Sequence, residues 1–194
     1  PTKETGRSKK DSKNGWWRKG PTSPDFEHED VLPNLTRRAV QYVKEQVKKE
    51  KPFFLYLALP SPHTPVLPTP EFEGKSGLNS AYADFVTMTD DTVKQVLDAL
   101  KEGGVDENTL FIFTSDNGCS PEADFEELEE QGHDPSSIYR GHKADIFEGG
   151  HRVPFIVRWP AKVKAGKRCD DPTCLTDLLA TMAEVLGQKL PADA

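Results

Sequence analysis

The sequence has few cysteines, no long apolar run and no excess of basic residues, and each absence excludes a class of protein. Its three cysteines, Cys119, Cys169 and Cys174, form no CxxC pair, which argues against a structural zinc site. Cys169 and Cys174 could pair, although two ordinary thiols is the interpretation we favour. The longest apolar run, residues 53–59, is far shorter than the ~20 residues that cross a bilayer. A net charge of −7 argues against a general nucleic-acid-binding protein.

The amino-acid composition is sufficient for a folded hydrophobic core. The chain has 194 residues, of which 35% are hydrophobic, so we expect one domain or a large piece of one. Residues 1–31 are polar and partly basic, which predicts a loop or arm, and residues 32–194 carry the pattern of a domain. Because the chain begins with Pro1, we expect a processed or excised amino terminus.

Helical and apolar segments alternate along residues 32–194. One helix is predicted to begin at an Asn34 or Thr36 cap, a second covers about residues 81–101 before Gly103, and an amphipathic helix closes the chain. Apolar runs at residues 53–59, 109–114 and 153–159 predict strands, the first of them buried on both faces. The acidic stretch 122–134 is interpreted as a solvated helical insertion. This order predicts an α/β fold with a largely parallel sheet and flanking helices.

The second predicted strand runs directly into Ser115-Asp116-Asn117-Gly118. Open α/β sheets bind ligands at the carboxyl ends of their strands, and Asp116 and Asn117 offer only oxygen ligands. Such ligands suit a hard cation such as calcium or magnesium. The alternative is an Asx turn, which is a common way for a chain to leave a strand.

Two further segments carry groups that bind anions. His63 lies in Pro62-His63-Thr64-Pro65, where prolines stiffen the loop and the imidazole can donate a hydrogen bond or a proton. Lys143 lies in a segment rich in Gly, His and cations, in which Glu148 and Arg152 could form an ion pair. The alternative for both segments is an ordinary charged surface loop.

Four motifs, taken in their order along the chain, resemble the type I sulfatase family. They are Pro62-His63-Thr64-Pro65, Thr114-Ser115-Asp116-Asn117-Gly118, Lys143 with Glu148-Gly149-Gly150-His151-Arg152-Val153-Pro154, and Arg158-Trp159-Pro160. The arylsulfatase A-like members are the most similar in the general character of the sequence. The resemblance covers about residues 32–190. It implies an alkaline-phosphatase-like α/β fold. It also implies hydrolysis of sulfate esters, such as aryl sulfates or sulfated sugars, with a formylglycine and one divalent cation, usually calcium.

By position, the resemblance assigns a role to four residues. Asp116 and Asn117 match two of the family's metal ligands. His63 matches a histidine that contacts the ester near its leaving oxygen, and Lys143 matches a lysine that contacts the sulfate and bridging oxygens. Metal and cations would together gather positive charge around a sulfuryl group during its transfer.

The family's nucleophile motif, Cys/Ser-x-Pro/Ala-x-Arg, is absent from this chain. Cys119-Ser120-Pro121-Glu122-Ala123 begins like it but has Ala123 in place of Arg, so Cys119 is not expected to be the nucleophile. The family's two early metal-binding aspartates and its Lys-x-His pair are also missing. We therefore expect an incomplete domain whose amino-terminal half lies on another chain or is absent.

Three hypotheses follow from the sequence. The first is a segment of a sulfuric-ester hydrolase. The second is a catalytically inactive remnant that binds an anionic glycan or a partner chain, and the third is a phosphoester or phosphonate hydrolase of the same superfamily. Only the resemblance suggests a location, which is periplasmic or secreted.

Overall fold

The computed structural model describes residues 3–5 and 20–191. The chain divides into two compact units, Pro1–Val163 and Lys164–Ala194, and the first contains every residue predicted to carry chemistry. Residues 1–2 and 6–19 of the predicted arm lie outside the described part. Two short strands of the arm, β1 (Lys3–Thr5) and β2 (Gly20–Thr22), pair antiparallel. None of the described helices has the length and apolar character needed to cross a membrane.

The first predicted helix is present, but its predicted cap is wrong. Helix α1 spans Val31–Gln46 and continues into a 3₁₀ turn at Val47–Lys49. Asn34 and Thr36 therefore lie inside the helix, and the Thr36 hydroxyl donates to the Leu32 carbonyl oxygen at 2.9 Å. Pro33 permits the earlier start because the first-turn N–H groups have no acceptor within a helix.

Helix α2 spans Ala81–Glu102 and confirms the second predicted helix. Its buried side chains recur every three or four residues, which places them on the face that packs against α1. The hydroxyls of Thr36 and Thr92, one from each helix, are 2.8 Å apart in this interface. Ser80 caps the start of α2 by accepting a hydrogen bond from the Ala83 N–H, and Gly103 follows its last residue.

The proline-rich loop after residue 60 is fastened to this helix pair. Val66 is only 3% exposed and packs in one apolar cluster with Leu32 of α1 and with Phe85 and Met88 of α2. Burial of a valine of this size stabilises a protein by about 1.5–3 kcal/mol. The loop that carries His63 is therefore anchored three residues beyond that histidine.

The sheet of the first unit is small and antiparallel. Strand β3 (Phe111–Thr114) pairs with β4 (Phe155–Arg158), with Phe111 opposite Arg158 and Thr114 opposite Phe155. Both strands lie inside the predicted segments. The prediction of a largely parallel sheet is not confirmed, because every strand pair among the described residues is antiparallel.

The predicted first strand, residues 53–59, has no regular secondary structure and pairs with no strand among the described residues. The prediction that both of its faces are buried is wrong. Phe53 and Leu55 pack against the cluster around Val43, whereas Phe54 and Tyr56 are 77% and 80% exposed. A continuous apolar run shows that two faces could be covered, but it does not supply the layer that covers the second one.

The remaining helices are short. The acidic stretch forms α3 (Phe125–Glu130), whose Leu128 is 1% exposed, so this predicted insertion is helical and is held by one buried leucine. Helix α4 covers Glu148–His151. In the second unit, α5 spans Asp177–Val185, as predicted for the closing helix. Cys169 and Cys174 are free thiols in this unit, and Cys119 is free in the first.

One buried carboxylate on α2 holds the loop that precedes this helix. Asp84 is 6% exposed, and its two oxygens accept hydrogen bonds from the Gly74 N–H at 2.7 Å and the Ser76 N–H at 2.9 Å. Burial alone would raise the pKa of Asp84. The hydrogen bonds from Ser76 and Gly74 favour the charged form more strongly, and the pKa is lowered below its usual value.

Replacing Asp84 by Asn is expected to reduce the free energy of unfolding by about 1–3 kcal/mol at pH 7, because the amide nitrogen would face a buried N–H donor. A carboxyl group with a lowered folded-state pKa stabilises the protein above its unfolded pKa of about 3.9 and loses this effect as the pH falls. Urea unfolding of both proteins should therefore show a difference that shrinks towards pH 3. Asp90→Asn, at an exposed position of the same helix, should change neither the free energy of unfolding nor its dependence on pH.

Candidate active site

The turn after β3 presents two oxygen ligands on a stiff backbone. Ser115 Oγ donates to the Asn117 carbonyl oxygen at 3.2 Å, and Asn117 Nδ2 donates to the Gly118 carbonyl oxygen at 3.0 Å. Because its amide nitrogen is bonded to the backbone, Asn117 keeps Oδ1 as an acceptor for a ligand. The Asp116 side chain beside it is exposed. Both groups are the hard donors that the sequence predicted.

The segment with Lys143 is bonded directly to this turn. The Lys143 N–H donates to the Cys119 carbonyl oxygen at 2.8 Å, and the Gly118 N–H donates to the Gly150 carbonyl oxygen at 2.9 Å. These two bonds fix residues 116–119 against both ends of residues 143–150. The structure therefore places the backbone of Gly118 and Cys119 directly against that of Gly150 and Lys143.

This close approach depends on glycine. A Cβ atom on Gly118 would overlap the Gly149 carbonyl oxygen, and one on Gly149 would overlap the Gly141 carbonyl oxygen. Both glycines are in van der Waals contact with the backbone of another segment. Any side chain at either position would therefore push the two segments apart. The glycines of residues 140–150 therefore permit a backbone approach that no other residue type would allow.

Two arginines stiffen the same segment. The Arg140 guanidinium lies 3.8 Å from the centre of the Phe147 ring, and the Arg152 guanidinium lies 4.8 Å from that of Tyr139. Arg152 Nε also donates to Glu148 at 2.5 Å, which confirms the predicted ion pair. The hydrogen bond from Arg152 and its positive charge lower the pKa of Glu148. These contacts hold the backbone that carries Lys143.

His63 lies on the proline-rich loop after residue 60 and is exposed. Its Nδ1 is 2.9 Å from the Thr64 carbonyl oxygen, so Nδ1 carries the proton and Nε2 is left to meet a ligand. The hydroxyls of Ser61 in this loop and Thr89 in α2 are 2.9 Å apart. This bond at Ser61 and the buried side chain of Val66 attach the loop to α2 before and after His63.

Helix α2 supports the two loops on one face. Near its start, the Tyr82 hydroxyl lies 3.7 Å from Cys119 Sγ, and seven residues later Thr89 contacts the His63 loop. Seven residues are two helical turns, so the two attachment points share a face about 10 Å apart. The loop that carries His63 and the turn that ends at Cys119 are therefore both attached to α2.

Cys119 has the properties of a structural thiol. Burial raises its pKa above the ordinary value, and this effect exceeds the opposing hydrogen bond from Tyr82. Burial, followed by the neighbouring Cys119, also raises the pKa of Tyr82. Both groups are protonated at neutral pH, and a thiolate would be needed for nucleophilic attack. Cys119 is therefore not an activated thiol.

Sequence reasoning missed a cleft beside Lys143. Its volume is about 320 Å³, and Pro121, Glu122, Asp124, Phe125 and His142 line it. The signal in the sequence was weak, since Phe125 stands alone among acidic residues and His142 resembles any loop histidine.

The sequence profile of the sulfatase family matches residues 7–188. The chain belongs to the sulfatase family. It is 40% identical over 185 residues to the N-acetylgalactosamine-6-O-sulfatase of Bacteroides thetaiotaomicron, a match covering 92% of this chain and 35% of that protein. It is 38% identical over 169 residues to human steryl-sulfatase, covering 86% and 28% of the two chains. The chain thus spans about a third of the length of these sulfatases.

Solved sulfatase structures show the same fold. One, described under the metabolism of multiple glycosaminoglycans by Bacteroides thetaiotaomicron, superposes with a TM-score of 0.79 at 39% identity and covers 93% of this chain and 37% of its own. Ps i-CgsB, solved in complex with k-i-k-neocarrahexaose, gives 0.72 at 32% identity and covers 93% and 38%. The first unit is therefore part of an alkaline-phosphatase-like α/β domain, as the resemblance implied.

Proposed function

We propose that this chain supplies the metal-binding and sulfate-binding part of the active site of a sulfuric-ester hydrolase. The observation that carries the proposal is the pair of backbone hydrogen bonds that joins the Asp116-Asn117-Gly118-Cys119 turn to the Lys143 segment. These bonds support the proposal because they join the segment that carries two hard oxygen donors to the segment that carries one cation. An anionic ester bound to a divalent cation needs both.

The two donors fit a cation such as calcium, which binds carboxylate and amide oxygens. Asp116 would supply a charged oxygen and Asn117 its Oδ1 atom. Calcium takes six to eight oxygen ligands, and the described residues contain no group of three or more His, Cys, Asp or Glu side chains that could hold a metal. The remaining ligands would come from a part of the sulfatase fold outside this chain. A bound cation would neutralise negative charge on the sulfate oxygens.

The two bases have different roles in the proposal. Lys143 would bind the sulfate and bridging oxygens as a point charge. His63, whose Nδ1–H is bonded to the Thr64 carbonyl oxygen, would exchange a proton with the leaving oxygen through Nε2. Neither residue is a nucleophile, and the 194 residues contain no Cys/Ser-x-Pro/Ala-x-Arg motif from which a formylglycine is made.

The missing nucleophile and metal ligands would come from the other part of a sulfatase domain. Residues 52–60 support this proposal, because they pair with no described strand and expose Phe54 and Tyr56. Strand β4 also exposes Ile156 by 58%. Apolar groups and unpaired backbone at a sheet edge favour association with a further strand or layer.

The test compares the 194-residue chain with the product of its complete gene. We expect the complete protein to hydrolyse a chromogenic aryl sulfate or a sulfated sugar, and to lose this activity when calcium is removed with a chelator. The isolated chain should not hydrolyse either substrate. A complete gene with no Cys/Ser-x-Pro/Ala-x-Arg motif would exclude a formylglycine enzyme.

The same assay separates the alternatives. Faster hydrolysis of the matching phosphate ester would assign the site to a phosphoester hydrolase instead. Saturable binding of a sulfated glycan without any hydrolysis, lost in Lys143→Ala, would indicate an inactive glycan-binding protein.

A further inference from the structure

Two free thiols of the second unit are close in the sequence and open to solvent. Cys169 and Cys174 are both exposed, whereas Cys119 of the first unit is partly buried. Four residues separate the two exposed cysteines, and the proposed function assigns no role to either of them. The second unit therefore contains a pair of accessible thiols whose chemistry is independent of ester hydrolysis.

The segment that joins the two cysteines has no regular structure to lose. Residues 168–173 lie in no helix or strand and form no backbone–backbone hydrogen bond to any residue that the structure describes. The chain bends at Asp171, whose carbonyl oxygen accepts a hydrogen bond from the Thr173 hydroxyl at 3.3 Å. A disulfide requires Cα atoms about 4–7 Å apart. A bent segment without backbone hydrogen bonds can bring its two ends to this separation while every helix and strand stays intact.

The start of α5 favours the thiolate form of Cys174. The hydrogen bond from the Thr176 hydroxyl, followed by that from the Thr176 N–H, lowers the pKa of the Cys174 thiol against the opposing charge of Asp177. The backbone N–H of Cys174 donates to Asp177 Oδ2 at 2.8 Å, which fixes this cysteine against the first residue of the helix. Cys174 therefore combines full exposure with a stabilised thiolate, the opposite of the setting of Cys119.

Cys169 has a different setting at the other end of the segment. Its Sγ donates a hydrogen bond to Asp171 Oδ2 at 3.7 Å. This bond directs the sulfur of Cys169 to the residue at the bend, on the way along the chain to Cys174. The two thiols thus differ in a way that suits a reactive cysteine and a second cysteine that resolves its oxidised form.

We propose that Cys169 and Cys174 form a reversible disulfide when the protein meets hydrogen peroxide, and that Cys174 is the thiol that reacts first. The Cys174 thiolate attacks one peroxide oxygen, so that an S–O bond forms, the O–O bond breaks and hydroxide leaves. The Cys169 thiolate then attacks the sulfur of this sulfenic acid, the S–S bond forms and a second hydroxide leaves. The two thiol protons and the two hydroxides give two waters. Two sulfurs are oxidised as one peroxide is reduced.

The disulfide would close a ring of six residues, 169–174, directly before α5. The ring restricts the part of the second unit that has no backbone hydrogen bonds of its own. Because both sulfurs are exposed, a small dithiol can reach the bond and reduce it again. The pair therefore acts as a redox-sensitive modification site.

The test treats the complete, native protein with hydrogen peroxide and then blocks the remaining thiols with N-ethylmaleimide. Trypsin releases residues 169–189 as one peptide, because Arg168 precedes Cys169 and the next basic residue is Lys189. After peroxide this peptide should be about 2 Da lighter than its reduced form and should carry no maleimide. Dithiothreitol should restore two sites for maleimide.

Four variants assign the steps. Cys169→Ser should stop at a sulfenic acid on Cys174, which dimedone traps, and Cys174→Ser should leave Cys169 open to maleimide. Thr176→Val should slow disulfide formation about three-fold or more, because the hydroxyl that stabilises the thiolate is lost. The Thr176 side chain makes no capping hydrogen bond, so valine preserves the start of α5. Thr173→Val is the matched control, since its hydroxyl is bonded to a carbonyl oxygen, and it should leave the rate unchanged.

Three results would overturn the proposal. Two maleimide sites that survive peroxide would show that the thiols do not pair. A sulfinic acid on Cys174 beside an unchanged Cys169 would show that Cys169 does not resolve the oxidised sulfur. Equal rates for Thr176→Val and wild type would reject Cys174 as the thiol that reacts first. None of these readouts depends on hydrolysis of a sulfate ester, so this proposal and the proposed function fail separately.

Discussion

Replacing Gly118 by Ala is expected to destabilise the protein by about 3 kcal/mol and to abolish calcium-dependent activity in the complete enzyme. The new Cβ would overlap the Gly149 carbonyl oxygen, which is backbone and cannot rotate away. Relief of this overlap requires residues 116–118 to separate from residues 149–150, and the Gly118 N–H bond to the Gly150 carbonyl oxygen at 2.9 Å is then lost. Asp116 and Asn117 would move with this backbone, away from Lys143.

Two measurements check this result. Urea unfolding of the chain gives the stability change, and calcium titration of the complete protein gives the loss of metal binding. Gly20→Ala is the matched control, because nothing lies within 4 Å of its added Cβ, and it should change stability by no more than about 0.5 kcal/mol. A Gly118→Ala protein with wild-type stability and calcium affinity would show that the two segments are not in contact as described.

The turn after β3 and the Glu148–Arg152 ion pair were more predictable from sequence than the sheet, and the reason is physical. Asn117 is held by hydrogen bonds within a short turn at a strand exit, and turn residues such as glycine and asparagine indicate such geometry locally. Glu148 and Arg152 are four residues apart in the sequence, and their ion pair could be predicted for the same reason. Local chemistry therefore fixed which groups could meet.

The sheet depends on partners that a sequence pattern does not name. Residues 53–59 have the composition of a buried strand, but strand pairing and burial require neighbours, and in the described part of the chain they have one covered face and no ladder. Strands β3 and β4 were located correctly, while their antiparallel pairing was not expected. The cleft was missed for a related reason, because Phe125 and His142 are separated in the sequence and meet through tertiary contact.

Substitution of Lys143 by Ala is expected to lower kcat/KM for sulfate esters about 10³-fold in the complete enzyme, because it removes a cation aimed at the charge that develops on the transferring group. Folding should not change, since Lys143 is fixed through its backbone N–H to the Cys119 carbonyl oxygen, and alanine keeps this bond. The loss should therefore appear in rate and in inhibition by free sulfate, with the melting temperature unchanged.

Two comparison variants make this result specific to Lys143. Lys143→Arg should recover only part of the rate, because its planar guanidinium keeps the charge but cannot occupy the position of a compact ammonium group. Lys162→Ala removes the same charge from an exposed position of the same unit and should leave kcat/KM within about two-fold of the wild type. Equal rates for Lys143→Ala and wild type would remove Lys143 from the sulfate site. Asp116 and Asn117 would then be left as a cation site without the neighbouring positive charge that links it to sulfate.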